Sequence, residues 1–286
     1  MLVLWAGTPR LALADTRDEE EELPSGFISH LDALKFEMAG MFGLITYSGI
    51  RDWKWGTAYF RFNPEGWFSM NTGSGGQDKL GHAYSSFLMS EFLYLRLRTY
   101  HDGKAPITLY PPLFSWALMF YVEVFDGYSV DHGFSGEDLA MDTAGVALSF
   151  LRQTFPAFGR VVDYRLEYFP SDEQNDGFHP MIDYSGQKFL LAFRPSGILP
   201  VRETPFRFVE LYLGYYTRGF KSEDPDVLKS RRMYVGAGID LEQVFSACLG
   251  SAEKQPGGWK DYASTTLRSF QLPYPYPKIS VHERQQ

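Results

Sequence analysis

The apolar residues of this 286-residue chain change period once, near Pro156, and that single change dictates two kinds of packing in one molecule. Before it, Leu31, Leu34, Met38, Met41, Phe42 and Ile45 recur at helical spacing, which predicts a first helix over Phe27–Ile50. A second helix is predicted from Asp78 to about Tyr100, after the Gly/Ser-rich stretch Asn71–Gly76. Pro111-Pro112 opens a third, Leu113–Gly127, because a proline in the first turn lacks only an N–H that has no partner there anyway. Ser135-Gly136-Glu137-Asp138 opens a fourth that reaches about Thr154. Thr57–Phe62, before the turn chemistry of Asn63-Pro64-Glu65-Gly66, reads as one short strand. After Pro156 the pattern is extended: Val161–Phe169, Gln187–Arg194, Phe206–Thr217 and Arg231–Val244 are rich in Tyr, Phe, Val and Leu and are separated by Gly, Pro, Asp and Ser. The expected fold class is α+β, a bundle of about four helices followed by an antiparallel sheet of aromatic-rich strands.

The expected organisation is a candidate signal peptide at 1–14, an acidic linker at 15–26, a helical region at 27–156, and a β region with a C-terminal tail at 157–286. Met1–Ala14 is apolar and ends in Ala12-Leu13-Ala14, the small-x-small pattern of a signal-peptidase site, although no basic segment precedes the apolar run. Export to the periplasm or outer membrane is the resulting expectation. No run of about 20 uncharged apolar residues is present to span a bilayer as a helix. The strands alternate like those of outer-membrane barrels, yet four clear ones fall short of the eight or so that a closed single-chain barrel needs, so an open sheet packed on the helices is expected. Rings make up 17% of the residues, which suits surfaces that are part apolar and part wet. A formal charge of −8 without a basic stripe argues against nucleic acid as a partner. The single cysteine, Cys248, excludes an internal disulfide and a cysteine-based zinc site.

Three predicted helices carry ionisable residues three or four apart, and so on one face: Asp78 with His82, Glu123 with Asp126, and Asp138 with Asp142. Helical bundles build metal sites this way, from carboxylates and imidazoles projecting inward. An N-cap accounts for Asp78 without any chemistry, and a capping box accounts for Ser135 with Asp138. Caps do not explain His82, Glu123, Asp126 or Asp142. Glu123 and Asp126 stand among Trp116, Met119, Phe120 and Phe125, where an unpaired carboxylate is costly, so they require a partner: His82, Lys79, a metal ion or water. The loop residues Asp131 and His132 are further possible ligands, with solvation the commoner fate of such a loop. Ser85 and Ser86 read as packing residues. No Gly-x-Ser-x-Gly elbow, Walker loop, dinucleotide fingerprint or His-Glu-x-x-His is present.

Three blocks in order, Asp78-Lys79-x-x-His82, Glu123-x-x-Asp126 and Gly133-Phe134-Ser135-x-x-Asp138-x-x-x-Asp142, resemble the YfiM-like family of bacterial periplasmic or outer-membrane lipoproteins over roughly Asp78–Phe150. A looser similarity, through the first block and a later acidic pair, is to VanZ-like membrane proteins. The chain departs from the YfiM-like pattern in lacking the lipoprotein cysteine and in carrying Val122 where short members often have Lys. The resemblance implies one shared site made of His82, Glu123, Asp126, Asp138 and Asp142, with Asp78, Lys79 and Ser135 as further signature residues, and it implies no reaction.

The expected function is that of a cell-envelope protein whose polar site binds a small ligand, a lipid or a cell-wall fragment. In a catalytic version, a divalent metal or His82 activates water, Glu123 or Asp126 acts as general base, and Asp142 orients. In a structural version the same residues form a buried network, and the strands bind an outer-membrane partner, by strand addition at an open edge among other ways.

Overall fold

The computed structural model describes residues 26–100, 107–171, 180, 182–198, 201, 203–222, 224, 226–250 and 257–284. The candidate signal peptide and the acidic run lie outside them. Five helices lead: α1 (Phe27–Ala33), α2 (Lys35–Arg51), α3 (Gln77–Tyr100), α4 (Tyr110–Asp126) and α5 (Gly136–Thr154), followed by the single turn α6 (Pro156–Gly159). The predicted first helix is thus two, broken at Leu34. That residue leaves helical geometry at φ −104° and ψ 10°, and its side chain inserts fully into a core with Leu93, Leu97, Ile107 and Phe114. Burial of a large aliphatic, about 1.5–3 kcal/mol, outweighs the lost turn.

The strands are β1 (Val162–Tyr168), β2 (Gln187–Phe193), β3 (Val209–Arg218) and β4 (Ser230–Ile239). They are followed by the helices α7 (Leu241–Leu249) and α8 (Trp259–Ser269) and the strands β5 (Phe270–Gln271) and β6 (Lys278–Arg284). They form one open six-stranded sheet in the order β5-β1-β2-β3-β4-β6, antiparallel except for the short parallel pairing of β5 with β1. The overall class is α+β as expected, but the chain after β4 forms two helices and both edge strands of the sheet. The strand expected over Arg231–Val244 ends at Ile239, because Asp240 accepts a hydrogen bond from the Gln243 amide and caps α7. Residues 57–62 form no strand; Phe62 makes one bridge with Phe134.

Register places Leu166, Phe189, Tyr215, Met233 and Val281 in one row across the sheet, and Tyr164, Leu191, Leu213, Val235 and Ile279 in the next. Alternate residues of a strand share a face. At the β1–β2 end this apolar face packs on α3, with Tyr84 and Phe87 against Tyr164, Leu166 and Phe189. At the β3–β4–β6 end it is exposed, with Val235 61%, Ile279 83% and Val281 78% accessible.

The other face is polar and aromatic. Gly214 leaves room there for the Tyr234 ring, which would lie 2.1 Å from any Cβ, and Tyr274 and Tyr276 hydrogen-bond to Tyr212 and Tyr234. Asp163 on β1 is fully buried on this face and is met by four guanidiniums: Arg152 at 2.5 Å, Arg268 at 2.8 Å, Arg194 at 2.9 Å and Arg165 at 3.3 Å. Burial opposes its charge, but the four cations hold its pKa well below the ordinary carboxylate range. One carboxylate thereby ties together α5, β1, the end of β2 and α8.

Candidate functional site

The first half of α3 is the wall from which the site is built. It begins after Gly75 and Gly76, both at positive φ; at Gly76 a Cβ would strike the Phe68 ring at 2.3 Å. The expected cap at Asp78 is not found. Gln77 is already helical, the Ser74 hydroxyl accepts from the Asp78 amide at 3.4 Å, and the Asp78 carboxylate takes a hydrogen bond from the Tyr184 hydroxyl at 2.9 Å instead.

Helices α3, α4 and α5 approach closely because small residues line their contacts. A Cβ on Gly145 would lie 2.1 Å from the Ala83 carbonyl oxygen, Ser86 donates to the Asp142 carbonyl at 3.0 Å, and Ser115 donates to the Ser86 carbonyl at 2.6 Å. That approach carries the side chains of three helices to one point.

His82 Nδ1 lies 3.3 Å from Asp142 Oδ1 and 3.5 Å from Glu123 Oε1. Asp142 and Glu123 are buried to 0% and 1% exposure; Asp142 Oδ2 shares a hydrogen bond with His82 Nδ1 at 3.4 Å, whereas Oδ1 meets no hydrogen-bond donor among the described residues. Glu123 Oε2 accepts the Ser135 amide at 3.1 Å, while the Ser135 hydroxyl accepts the Asp138 amide at 3.2 Å. Ser135 is therefore the N-cap of α5, as expected, but the return bond of the capping box comes from Glu123 on another helix. Asp138 is released to meet Lys79 at 2.7 Å. Lys79, buried to 2%, also binds Glu65 at 2.7 Å and Asp78 at 3.3 Å.

Asp126 stands at the margin. Its Oδ1 accepts from Trp55 Nε1 at 2.6 Å, and it belongs to neither of the groups that could ligate one ion. Asp131 is also outside the cluster, half exposed and paired with Lys54 at 2.8 Å. Ser86 is fully buried, as its packing role requires.

Charge does not balance here. Among the described residues, Glu65, Asp78, Glu123, Asp126, Asp138 and Asp142 are met by Lys79 and His82, with His132 acting on Asp126 at the edge. Burial, with the carboxylates of Asp78 and Asp138, pushes Glu65 up to about 7. Burial pushes Glu123 up to about 9, against the attraction of His82. Burial raises Asp142 and Asp126 as well. Burial opposes charge on His82, yet Asp142 and Asp138 hold its pKa well above the usual imidazole value. Burial likewise disfavours the charged forms of Asp78 and Lys79, but Asp78 is held low by His82 and Lys79, and Lys79 is held high by Asp78 and Asp138.

Two ligand-capable groups share His82: Asp78, His82 and Asp138, and His82, Glu123 and Asp142, the donor atoms of each lying within 4.8 Å of one another. An oxygen-rich set with one imidazole suits a borderline divalent ion such as Mn²⁺, Fe²⁺ or Zn²⁺.

Residues 64–154 match the family described as predicted periplasmic lipoprotein (DUF2279). The matched segment is about a third of the chain, and it holds every ionisable member of the cluster, from Glu65 to Asp142. Trp55 and Tyr184, which engage Asp126 and Asp78, lie outside it. The family's description agrees with the exported, periplasmic or outer-membrane location expected from the N-terminal segment. No curated protein and no solved structure was found to match the chain.

Sequence reasoning missed Glu65, Trp55 and Tyr184. Glu65 sits in a Pro-Glu-Gly turn, where a carboxylate is ordinary; Tyr184 comes from 106 positions beyond its partner Asp78. The one available signal was the unpaired carboxylate of Asp126 near an aromatic-rich loop.

Proposed function

We propose that this is a protein of the bacterial cell envelope whose helical half holds a divalent cation through His82, Glu123 and Asp142, with Asp138 and Asp78 completing or alternating in the set. The observation that carries the reading is the convergence of two ligand groups on His82 in a buried cluster with far more carboxylates than cations. A bound ion supplies the missing positive charge and replaces the protons that burial otherwise imposes on Glu123 and Asp142. Ser135 then orients Glu123 from behind, and Lys79 orients Asp138. The likeness of the three sequence blocks to YfiM-like envelope proteins, and attachment at the outer membrane, belong to this same proposal. The ion serves to hold an anionic ligand of the envelope, such as a lipid headgroup or a cell-wall fragment.

A hydrolytic version would draw Lewis acidity from an ion held by His82, Glu123 and Asp142, and Asp126, engaged by Trp55 and outside both ligand groups, would be the carboxylate left to act as general base. A second reading is favoured by Lys79, whose three carboxylate partners would fix helix register without any ion.

The deciding measurement is metal content by mass spectrometry on protein purified without chelator or affinity tag, for wild type, His82→Ala and Glu123→Ala. Stoichiometric metal in wild type and its loss in both variants is the expected result. Absence of metal from wild type, with His82→Ala less stable by about 1–3 kcal/mol, overturns the cation site in favour of the structural network.

A further inference from the structure

A hollow of about 520 Å³ lies on a different side of α3 from the acidic cluster, within the volume range of small-molecule sites. Leu80, which lines it, is roughly a third of a turn around the helix from the face that carries Lys79 and His82. Phe68 and Leu80 form one side of the hollow, and Leu191, Leu213, Met233 and Val281 form the other. It opens onto the exposed row of Leu213, Val235 and Ile279, so that a groove in the molecule continues into an apolar sheet face. Contiguous apolar surface of this kind marks an interaction site.

The lining discriminates between occupants. The surface it exposes is predominantly hydrocarbon, and the strands beneath already pair their backbone groups with one another. A peptide laid in the groove would bury N–H and C=O groups without partners, whereas an alkyl chain has none to lose. At one end of the groove Arg231 and Glu283 form an ion pair across β4 and β6, and Arg231 Nε is buried without a hydrogen bond among the described residues. Arg231 and Glu283 share the face of Met233 and Val281, whereas Arg232 and Lys278 lie on the opposite face, over the Tyr216 and Tyr234 rings. The Arg231–Glu283 pair at the mouth of the groove complements a zwitterionic headgroup, the guanidinium facing a phosphate and the carboxylate an ammonium group.

We infer that the groove takes one acyl chain of a phospholipid, with its phosphate against Arg231. The inference is independent of the cation site and stands or falls without it.

The test uses the full chain and the uncharged fluorescent probe N-phenyl-1-naphthylamine, displaced by lysophosphatidylethanolamine. Saturable probe binding is expected, weakened about tenfold or more in Leu213→Glu and in Val281→Glu, and unchanged in Ile239→Glu, an exposed residue of the same face outside the groove. Leu213 and Val281 are 41% and 78% exposed, so a charge there leaves the fold intact, which the melting temperature verifies. Arg231→Gln keeps probe binding and weakens displacement by lysophosphatidylethanolamine, which separates a phospholipid from a bare hydrocarbon ligand; equal displacement from Arg231→Gln and wild type overturns the phosphate contact. Absence of saturable probe binding overturns the groove. In that event, a dimer seen by light scattering and dissolved by Leu213→Glu assigns the face to a second copy. Vesicles of phosphatidylethanolamine and phosphatidylglycerol that sediment wild type, and lose Ile239→Glu as fully as Leu213→Glu, assign it to flat contact with a membrane.

Discussion

Glu123 divides its two oxygens between two duties, Oε1 toward His82 and Oε2 on the Ser135 amide. Its proton, and those of its neighbours, set the pH response of the metal-free protein. An unfolded Glu titrates near pH 4.3, whereas Glu65 and Glu123 titrate at about 7 and about 9 when folded, so between those values the folded chain holds protons that the unfolded chain has lost. His82, held well above its usual value, acts in the same direction above about pH 6.5. Asp78, held low, acts oppositely, but only below about pH 4. Stability therefore falls as pH rises from about 5 through 7 toward 9. Thermal melts in the presence of a chelator should show Tm dropping across this window, and saturating Mn²⁺ should flatten the profile; a Tm that climbs across it contradicts the charge balance described above. At the margin of the cluster, Trp55→Phe removes the hydrogen bond that the Asp126 carboxylate accepts, the one side-chain bond seen for it among the described residues, and should cost about 1–3 kcal/mol in urea denaturation, with metal content unchanged.

Gly145 decides the element scale. A methyl group there meets the Ala83 carbonyl and the Ser86 hydroxyl, so Gly145→Ala must push α5 away from α3, at an expected cost of about 1–3 kcal/mol. Because Asp142 rides on α5 and His82 on α3, the same variant should lower metal affinity, which Ser149→Ala, on the same helix but away from His82, should not; titration calorimetry distinguishes the two. Helix α3 was legible from the Gly/Ser-rich stretch Asn71–Gly76 before it, α4 from Pro111-Pro112 and α5 from Ser135-Gly136-Glu137-Asp138, and each carries ionisable residues three or four apart. The same periods put His82, Glu123, Asp138 and Asp142 on converging faces, although the chemistry they perform stands on the proposal. Strands β1 to β4 were legible from their aromatic alternation. Beyond β4 four elements were not, the two-residue strand β5 among them. Helix α7 shares its Leu and Val with a strand pattern and is set apart only by the Asp240 cap. Helix α8 is polar, with two β-branched threonines, and begins at Gly258 without a side-chain cap. Strand β6 is exposed along its whole length, so no buried face imposed a period on it. The break at Leu34 escaped for a related reason, since only the α3–α4 core, distant in sequence, draws that side chain inward.

At the scale of the molecule, Asp163 is the joint between the helical and the stranded parts. Asp163→Asn leaves Arg152, Arg165, Arg194 and Arg268 crowded around a neutral group and should destabilise by about 3–5 kcal/mol. Circular dichroism of the helices and tyrosine fluorescence of the sheet should fall together in the wild type and separate in the variant; coincident transitions in both would mean that the joint lies elsewhere. The strand order has a consequence for the sequence of events during export. Chain synthesised first supplies α3, whose Tyr84 and Phe87 find their cover only on β1 and β2, and β1 in turn waits for Arg268 and β5 from near the other end. For a chain exported unfolded, the early helices would wait with an aromatic surface bare until those late segments arrive, which would make that interval the period in which chaperones and proteases compete for the chain.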